Sequence, residues 1–254
     1  MSLLARANAR KLLRECCITK PEHIDLEKIA AYKNLFIEEG DIRSHTARIH
    51  KSDNCGIIKI SSKLKDKGQR NFVIAHEIGH FINERNKNFT SCTASDLLGI
   101  NSKKEFEKDA NAFASELLMK DEWVWEFTAK RIPGADLIKD MCEYFNTSLL
   151  SAAIRYAEIG KYPSAVILSK NKKVVWSVLN KDFRFKWLPP GTPVNGNSYC
   201  YDYFNEGIMD KNVNKILADA WFLQDKFYRR NFYLNEQNIY LTNYNAVLTI
   251  LWED

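Results

Sequence analysis

The sequence contains no long apolar run. No segment approaches the roughly 20 consecutive apolar residues of a membrane-spanning helix. Arg6 and Lys11 interrupt the N-terminal region before the apolar core of a signal peptide could form. We therefore expect no membrane association and no export, and we predict a cytoplasmic protein.

The chain also lacks a C-x-x-C pair of cysteines and a strong excess of either charge. None of its six cysteines forms a C-x-x-C pair, which favours free thiols in a reducing compartment over a disulfide framework. Lys and Arg number 37 against 32 Asp and Glu, which leaves a formal net charge of +5. So small an excess is typical of a solvated surface, and we expect no direct nucleic-acid binding.

The residues that are present suffice for a sizeable core. A length of 254 residues with 45% hydrophobic content suits one large domain or two smaller ones. Residues 161–254 hold more than half of the aromatic residues. We therefore predict an α+β protein with two domains, at residues 1–160 and 161–254, of which the second is β-rich.

In the second domain, apolar and alternating runs predict four strands, and residues 213–222 could form a helix. The predicted strands are 165–168, 174–178, 238–241 and 246–252. The aromatic residues are most simply core residues, but this domain could also sense a ligand, bind a partner or regulate access to a site.

In the first domain, residues 71–84 are apolar on nearly every side, which predicts a buried helix. Residues 85–104 are polar and predict a loop, and residues 105–119 have the periodicity of an amphipathic helix. A helix pair is predicted at 135–158, with Ser148 as the N-cap of its second member.

The buried helix carries the segment His76-Glu77-Ile78-Gly79-His80, which matches H-E-x-x-H. Residues four apart on a helix lie about 40° apart around its axis, so both histidines could reach one tetrahedral Zn²⁺. Glu77 could accept a proton from a zinc-activated water without being a ligand itself. The alternative is a pair of hydrogen-bonded core histidines.

A catalytic zinc needs a third protein ligand. On the helix 105–119, Glu107 is the carboxylate nearest the centre of the apolar stripe, about 60° away at 100° per residue. The helix macrodipole would also favour a carboxylate at this helix start, but the upstream H-E-x-x-H segment favours a ligand. Asn111, one turn further along, could orient Glu107 or a histidine.

These two segments together resemble the ImmA/IrrE family of metallopeptidases. Residues 70–80 read RNFVIAHEIGH and residues 107–119 read EKDANAFASELLM. They are similar to the family patterns R-x-F-T-x-A-H-E-x-G-H and E-x-x-A-N-x-F-A-x-x-L-L-M-P. Residues 148–155 also look like the S-x-x-A-x-x-R helix of that family, so the resemblance extends over most of the first domain.

The resemblance implies that His76, His80 and Glu107 bind one catalytic zinc ion and that Glu77 is the general base. It also implies a zincin-like, minimal gluzincin fold of helices around a small antiparallel sheet, whose edge strand can pair with an extended substrate. One predicted strand is our candidate for this pairing, although an ordinary core or edge strand would explain it equally well. Its residues are Gly56, Ile57, Ile58, Lys59 and Ile60.

The sequence departs from the family pattern at two positions and in its layout. Val73 stands where the family usually has Thr, and Lys120 stands where it usually has Pro. We expect no Xre-type DNA-binding domain before the peptidase region, and family members with this layout usually act on a separate partner, often a helix-turn-helix repressor. The resemblance therefore implies a zinc-dependent endopeptidase that cleaves a peptide bond in such a DNA-binding repressor.

Three other functions compete with this hypothesis. A metal-bearing regulatory module that docks a partner without proteolysis would not need Glu77. A cysteine peptidase is disfavoured because no cysteine lies in a recognisable nucleophile setting. A DNA-binding helix pair at 135–158 is disfavoured because the second helix is too apolar to read base edges.

Overall fold

The computed structural model describes residues 3–42, 46–52, 54–83, 89–92, 105–223 and 232–253. Its helices are α1 (Leu3–Glu15), α2 (Leu26–Tyr32), α3 (Lys67–Asn83), α4 (Glu105–Leu118), α5 (Asp121–Thr128), α6 (Ala135–Tyr144), α7 (Leu149–Ile159), α8 (Tyr199–Glu206) and α9 (Asp219–Phe222). Its strands are β1 (Leu35–Gly40), β2 (Ala47–Lys51), β3 (Gly56–Ser61), β4 (Phe89–Cys92), β5 (Ser164–Lys170), β6 (Lys173–Leu179), β7 (Asn214–Leu217), β8 (Tyr233–Leu241) and β9 (Ala246–Trp252). The α+β fold class is confirmed.

The chain divides into two compact units that alternate along the sequence. The first comprises Met1–Val124 and Asp140–Ala152, and the second comprises Trp125–Lys139 and Ala153–Asp254. Helical residues before position 160 thus belong to the second unit, and hydrogen bonds hold them there. Asn180, for example, donates through Nδ2 to the carbonyl of Ala157 at 3.1 Å. The division into independent domains at residue 160 stays a prediction.

The sheet of the first unit has the strand order β1-β3-β2-β4. The pairs β2–β3 and β2–β4 are antiparallel, but β1 pairs with β3 in parallel. The small sheet is therefore mixed, whereas the resemblance implied an antiparallel one. The chain reverses direction between β1 and β2 and again between β2 and β3. Because β3 lies between β1 and β2, it is therefore parallel to β1 and antiparallel to β2.

The helix α3 lies at the centre of the first unit. It contacts β2 and β3 of the sheet as well as α1, α2 and α4. Residues 72–80 are all buried, as the continuous apolar sequence predicts. The helix begins four residues before the predicted range 71–84 and ends one residue before its end. Burial on several faces at once explains why this helix shows no polar face.

Two regions correct the predicted secondary structure. The loop predicted at 85–104 contains the strand β4 at Phe89–Cys92, and residues 84–88 and 93–104 lie outside the described residues. The helix considered at 213–222 is instead the strand β7 followed by the short helix α9. Pairing with β8 decides this outcome, since Ile216 lies opposite Leu234 in the ladder, and a single segment does not reveal its partner strand.

The sheet of the second unit is antiparallel, with the order β6-β5-β9-β8-β7. All seven residues of β9 are buried, as expected for a central strand of a covered sheet. An aromatic cluster packs in the core of this unit, in which Phe185 and Phe222 stack with ring centroids 4.3 Å apart. The predicted strands at 165–168, 174–178, 238–241 and 246–252 lie within β5, β6, β8 and β9.

Among the described residues, no helix combines the length and the apolar composition that crossing a bilayer would require.

Candidate metal centre

The histidines and the glutamate of the H-E-x-x-H segment lie in the buried part of α3. His76, Glu77 and His80 each have a relative exposure of 0%. Three polar side chains in such a position are costly unless other groups satisfy them. Their burial therefore requires a compensating interaction inside the first unit.

The two imidazoles and the carboxylate of Glu107 converge on one point. Nε2 of His76 lies 2.9 Å from Nε2 of His80. Oε2 of Glu107 lies 3.2 Å from Nε2 of His76 and 3.4 Å from Nε2 of His80. Glu107 is itself buried, with 2% exposure. The fold thus brings together the candidate ligands that were predicted on two separate segments of the sequence.

A close contact between α3 and α4 makes this convergence possible. Gly79 lies on the face of α3 between the two histidines, and Ala110 lies one turn after Glu107. A Cβ atom at Gly79 would lie 3.2 Å from Cα and from the carbonyl oxygen of Ala110 and 3.1 Å from the ring of Phe113. Because the backbones meet with so little between them, a side chain as short as glutamate reaches both histidines.

Asn111 also contributes to the site. Its Oδ1 lies 2.8 Å from Nδ1 of His76. Since the carbonyl oxygen of an amide accepts hydrogen bonds, Nδ1 carries the hydrogen and Nε2 presents its lone pair toward His80 and Glu107. The structure therefore matches one of the two roles that the sequence allowed Asn111, the orientation of a histidine.

The electrostatics of the cluster favour the protonation states that a metal ligand needs. Burial lowers the pKa of His76 below its ordinary value of 6.5, and the neighbouring His80 lowers it further. Burial alone would raise the pKa of Glu107, but the hydrogen bonds and charge interactions with His76 and His80 outweigh it and hold that pKa well below its usual range. A neutral imidazole and an ionised carboxylate are the forms that bind zinc.

The donor set fits a divalent ion. Nitrogen and oxygen ligands at about 2.0–2.1 Å from a tetrahedral zinc lie about 3.3 Å from one another. The separations in this cluster run from 2.9 to 3.4 Å. The buried group of His76, His80 and Glu107 could therefore hold a metal ion, and three protein ligands would leave a fourth position open.

Lys51 is a residue near the site that sequence reasoning missed. Its Nζ donates to the carbonyl oxygen of His80 at 2.6 Å. This carbonyl belongs to the last turn of α3, where backbone oxygens lack partners within the helix and where a positive charge is favoured. No sequence signal could reveal the contact, because Lys51 ends a strand 29 residues before His80.

The strand chosen as the substrate candidate has no free edge. Residues Gly56–Ser61 form β3, which pairs with β1 on one side and with β2 on the other. Strand addition needs unpaired backbone groups, so Gly56, Ile57, Ile58, Lys59 and Ile60 cannot pair with a substrate in this arrangement. This prediction was wrong because a central strand and an edge strand have the same sequence pattern. Within the described part of the sheet, the edge strands are β1 and β4.

Comparisons with known proteins agree with this site. Residues 34–156 match the family described as the IrrE N-terminal-like domain. Metallopeptidase ImmA of Bacillus subtilis (strain 168) is 28% identical to this chain over 146 residues, which cover 57% of this chain and 79% of that protein. A transcriptional regulator of Mycobacterium tuberculosis has a similar fold, with a TM-score of 0.60 at 12% identity over 99% of this chain and 77% of the other.

The last of these similarities concerns the fold alone, because the identity is so low. The family match covers the segment that carries His76, Glu77, His80 and Glu107. Within residues 34–156 the chain is similar to the ImmA/IrrE family of metallopeptidases, which supports the resemblance seen in the sequence.

Proposed function

We propose that this protein is a zinc-dependent endopeptidase that cleaves a peptide bond in a protein partner. The observation that supports this most directly is the convergence of three buried ligand atoms within 4.8 Å of one another. His76, His80 and Glu107 are the ligands, and Glu77 is the general base. A zinc ion held by these residues would supply Lewis acidity toward a peptide carbonyl and an attacking water.

The side chains of the chain itself carry the proton transfers and the orientation. Glu77 accepts the proton of the attacking water and delivers it to the leaving amine. Asn111 holds the tautomer of His76, so that this histidine keeps its Nε2 lone pair for the metal. The low pKa of Glu107 keeps the third ligand ionised at neutral pH.

An extended segment of the substrate would add to an edge of the first sheet. Of the edge strands β1 and β4 in the described part of the sheet, β4 is the better candidate. It pairs with β2, with His50 opposite Phe89, and the next residue of β2, Lys51, contacts the last turn of α3 through the carbonyl of His80. The edge formed by β4 is thus linked, through β2 and Lys51, to the part of α3 that carries the second histidine.

The substrate that we propose is a DNA-binding repressor of the helix-turn-helix class, and the setting is the cytoplasm. The resemblance to metallopeptidase ImmA and to its family supports this choice. The aromatic-rich second unit would sense a ligand or bind the partner, and the protein itself would not contact nucleic acid.

Co-expression with repressors encoded beside the gene tests the proposal. We expect cleavage by the wild type, loss of cleavage in Glu77→Gln, and equal zinc content in both. Glu105→Gln removes an exposed carboxylate on α4, and we expect this control to cleave normally. Equal effects of the wild type and Glu77→Gln on the repressor, without any cut, would instead favour the metal-bearing docking module.

A further inference from the structure

The N-terminal helix α1 contacts both helices that carry the candidate metal ligands, α3 and α4. Ala5 and Ala9 are buried on its inner face, at 1% and 0% exposure. Small residues one turn apart allow neighbouring helices to approach closely, so α1 lies against the ligand helices along a shared surface. The polar contacts of α1 then fix its position on α3 and α4.

Two arginines on α1 bind a buried carboxylate on α4. Glu116 has a side-chain exposure of 0%. Its Oε1 accepts a hydrogen bond from Nε of Arg10 at 2.6 Å, and its Oε2 accepts one from Nη1 of Arg6 at 3.0 Å. A buried carboxylate requires such partners, so these contacts fix α1 against α4 in one register.

The same arginines extend this link past the end of α4. Nη2 of Arg10 donates to Oδ2 of Asp121, and Nη1 of Arg6 lies 3.6 Å from Oδ1 of Asp121. The planar guanidinium of Arg10 therefore spans two carboxylates, which an ammonium group could not do in the same geometry. Both arginines reach Glu116 and Asp121, and Arg10 makes the shorter contact with each of them.

A separate contact ties α1 to the other ligand helix. Nδ2 of Asn8 donates to Oδ1 of Asn83 at 2.8 Å. The amide of Asn83 in turn donates to the carbonyl of Gly79 at 2.9 Å. Gly79 lies between the two histidines, so the chain of contacts ends at the part of α3 that carries the imidazoles.

We propose that α1 is a brace that sets the spacing between the histidine pair on α3 and Glu107 on α4, with Arg10 as its main positioning residue. Glu116 and Glu107 lie on one rigid helix, and Asn83 follows His80 by less than one turn, so a shift at either contact moves the ligand atoms. Metal ligands must be held within about 0.5 Å of their working positions. This inference rests on the proposed metal site but not on peptidase activity.

Zinc affinity and the visible absorption of the cobalt-substituted protein test the brace. Arg10→Gln removes both contacts of Arg10, and we expect about tenfold weaker zinc binding, as for other partners that orient metal ligands. We also expect altered cobalt bands, since these report the coordination geometry. Arg14→Gln makes the same change at an exposed position of α1, and we expect wild-type values for this control.

A second variant decides the question if Arg10→Gln fails to fold. Asn8→Ala removes only the contact to α3, and we expect a smaller loss of zinc affinity with a cobalt spectrum that differs from the wild type. Wild-type zinc affinity and cobalt bands in every folded variant would overturn the brace, even if the melting temperature fell. A wild type that binds zinc tightly but cuts no protein would refute the proposed function and leave the brace standing.

Discussion

Nδ1 of His76 lies 2.8 Å from Oδ1 of Asn111, so the first histidine of the H-E-x-x-H segment is oriented by the helix that also carries Glu107. The two residues are 35 positions apart in the sequence, and their contact joins α3 to α4 beside the metal centre. The orientation of one ligand and the position of another therefore depend on the same helix.

Removing this contact is expected to weaken metal binding. In Asn111→Ala, the ring of His76 loses the acceptor that fixes its tautomer, and we expect a ten- to hundredfold lower zinc affinity. Competition with a chromogenic chelator measures the change. Glu105→Gln, on the exposed face of the same helix, is the control. Unchanged affinity in Asn111→Ala would show that the hydrogen bond does not orient the ligand.

The close approach of α3 and α4 at Gly79 gives a second prediction. In Gly79→Ala the new methyl group would lie 3.1–3.2 Å from Phe113 and Ala110, so the helices must move apart. We expect a loss of about 1–3 kcal/mol in the free energy of unfolding, together with weaker zinc binding. Denaturant titration and chelator competition measure the two effects.

The matched control for this substitution is Gly196→Ala. A Cβ atom at Gly196 would have no heavy atom within 4 Å, so we expect nearly wild-type stability and zinc affinity. If the two alanine variants were equally stable, the packing of α3 on α4 would not limit the site.

Acid should destabilise the metal-free protein through His76. Its pKa lies below the ordinary value of 6.5 because of burial and the neighbouring His80. Below about pH 6.5 the unfolded chain therefore binds a proton that the folded chain does not. The free energy of unfolding keeps its full value above this pH. It decreases as the pH is lowered further, by at most about 1.4 kcal/mol per pH unit for one proton.

Denaturant titrations in the presence of a chelator, at pH values about one unit apart between about pH 5 and 7, measure this slope. We expect a flatter slope in His76→Gln. His23→Gln makes the same substitution at an exposed position and is the control for the substitution itself. A steep slope that survives in His76→Gln would assign the acid sensitivity to other groups.

In the second unit, the buried carboxylate of Glu236 organises the contacts between β8, α8 and α9. Its Oε1 accepts from the backbone N–H of Cys200 at 2.9 Å and from Nδ2 of Asn238 at 2.8 Å. Its Oε2 accepts from Nε1 of Trp221 at 2.9 Å. Each oxygen of this side chain therefore faces at least one donor.

Glu236→Gln keeps the shape of the side chain but replaces one acceptor by an amide donor. A donor then faces a donor in either orientation, and we expect a cost of about 1–3 kcal/mol. Thermal unfolding followed by tryptophan fluorescence measures it. Glu206→Gln is the control, because Glu206 is an exposed carboxylate at the end of α8. Equal melting temperatures would mean that the network does not stabilise this unit.

Local patterns in the sequence identified the residues that converge at the site. The spacing of His76 and His80 and the periodicity around Glu107 depend only on helix geometry, so they could be deduced without knowing how the helices pack. The apolar composition of residues 72–80 likewise predicted burial. The α+β class followed from the same short-range patterns.

Contacts between distant segments could not be deduced in this way. The pairing of β3 on both edges, the strand β7 in place of a helix, and the hydrogen bond from Lys51 to His80 all depend on partners far away in the sequence. Strand pairing in particular is a property of two segments, and each segment alone is compatible with a central or an edge position.

The sequence by itself therefore determined which side chains could bind a metal, because residues on one helix keep fixed angular relations whatever surrounds them. Only the tertiary structure decided that Glu107 and Asn111 meet the two histidines, because this depends on how closely α3 approaches α4 at Gly79. The sequence did not predict the contact of Arg10 with Glu116 for the same reason. A contact between two helices leaves no recognisable pattern in the sequence of either helix.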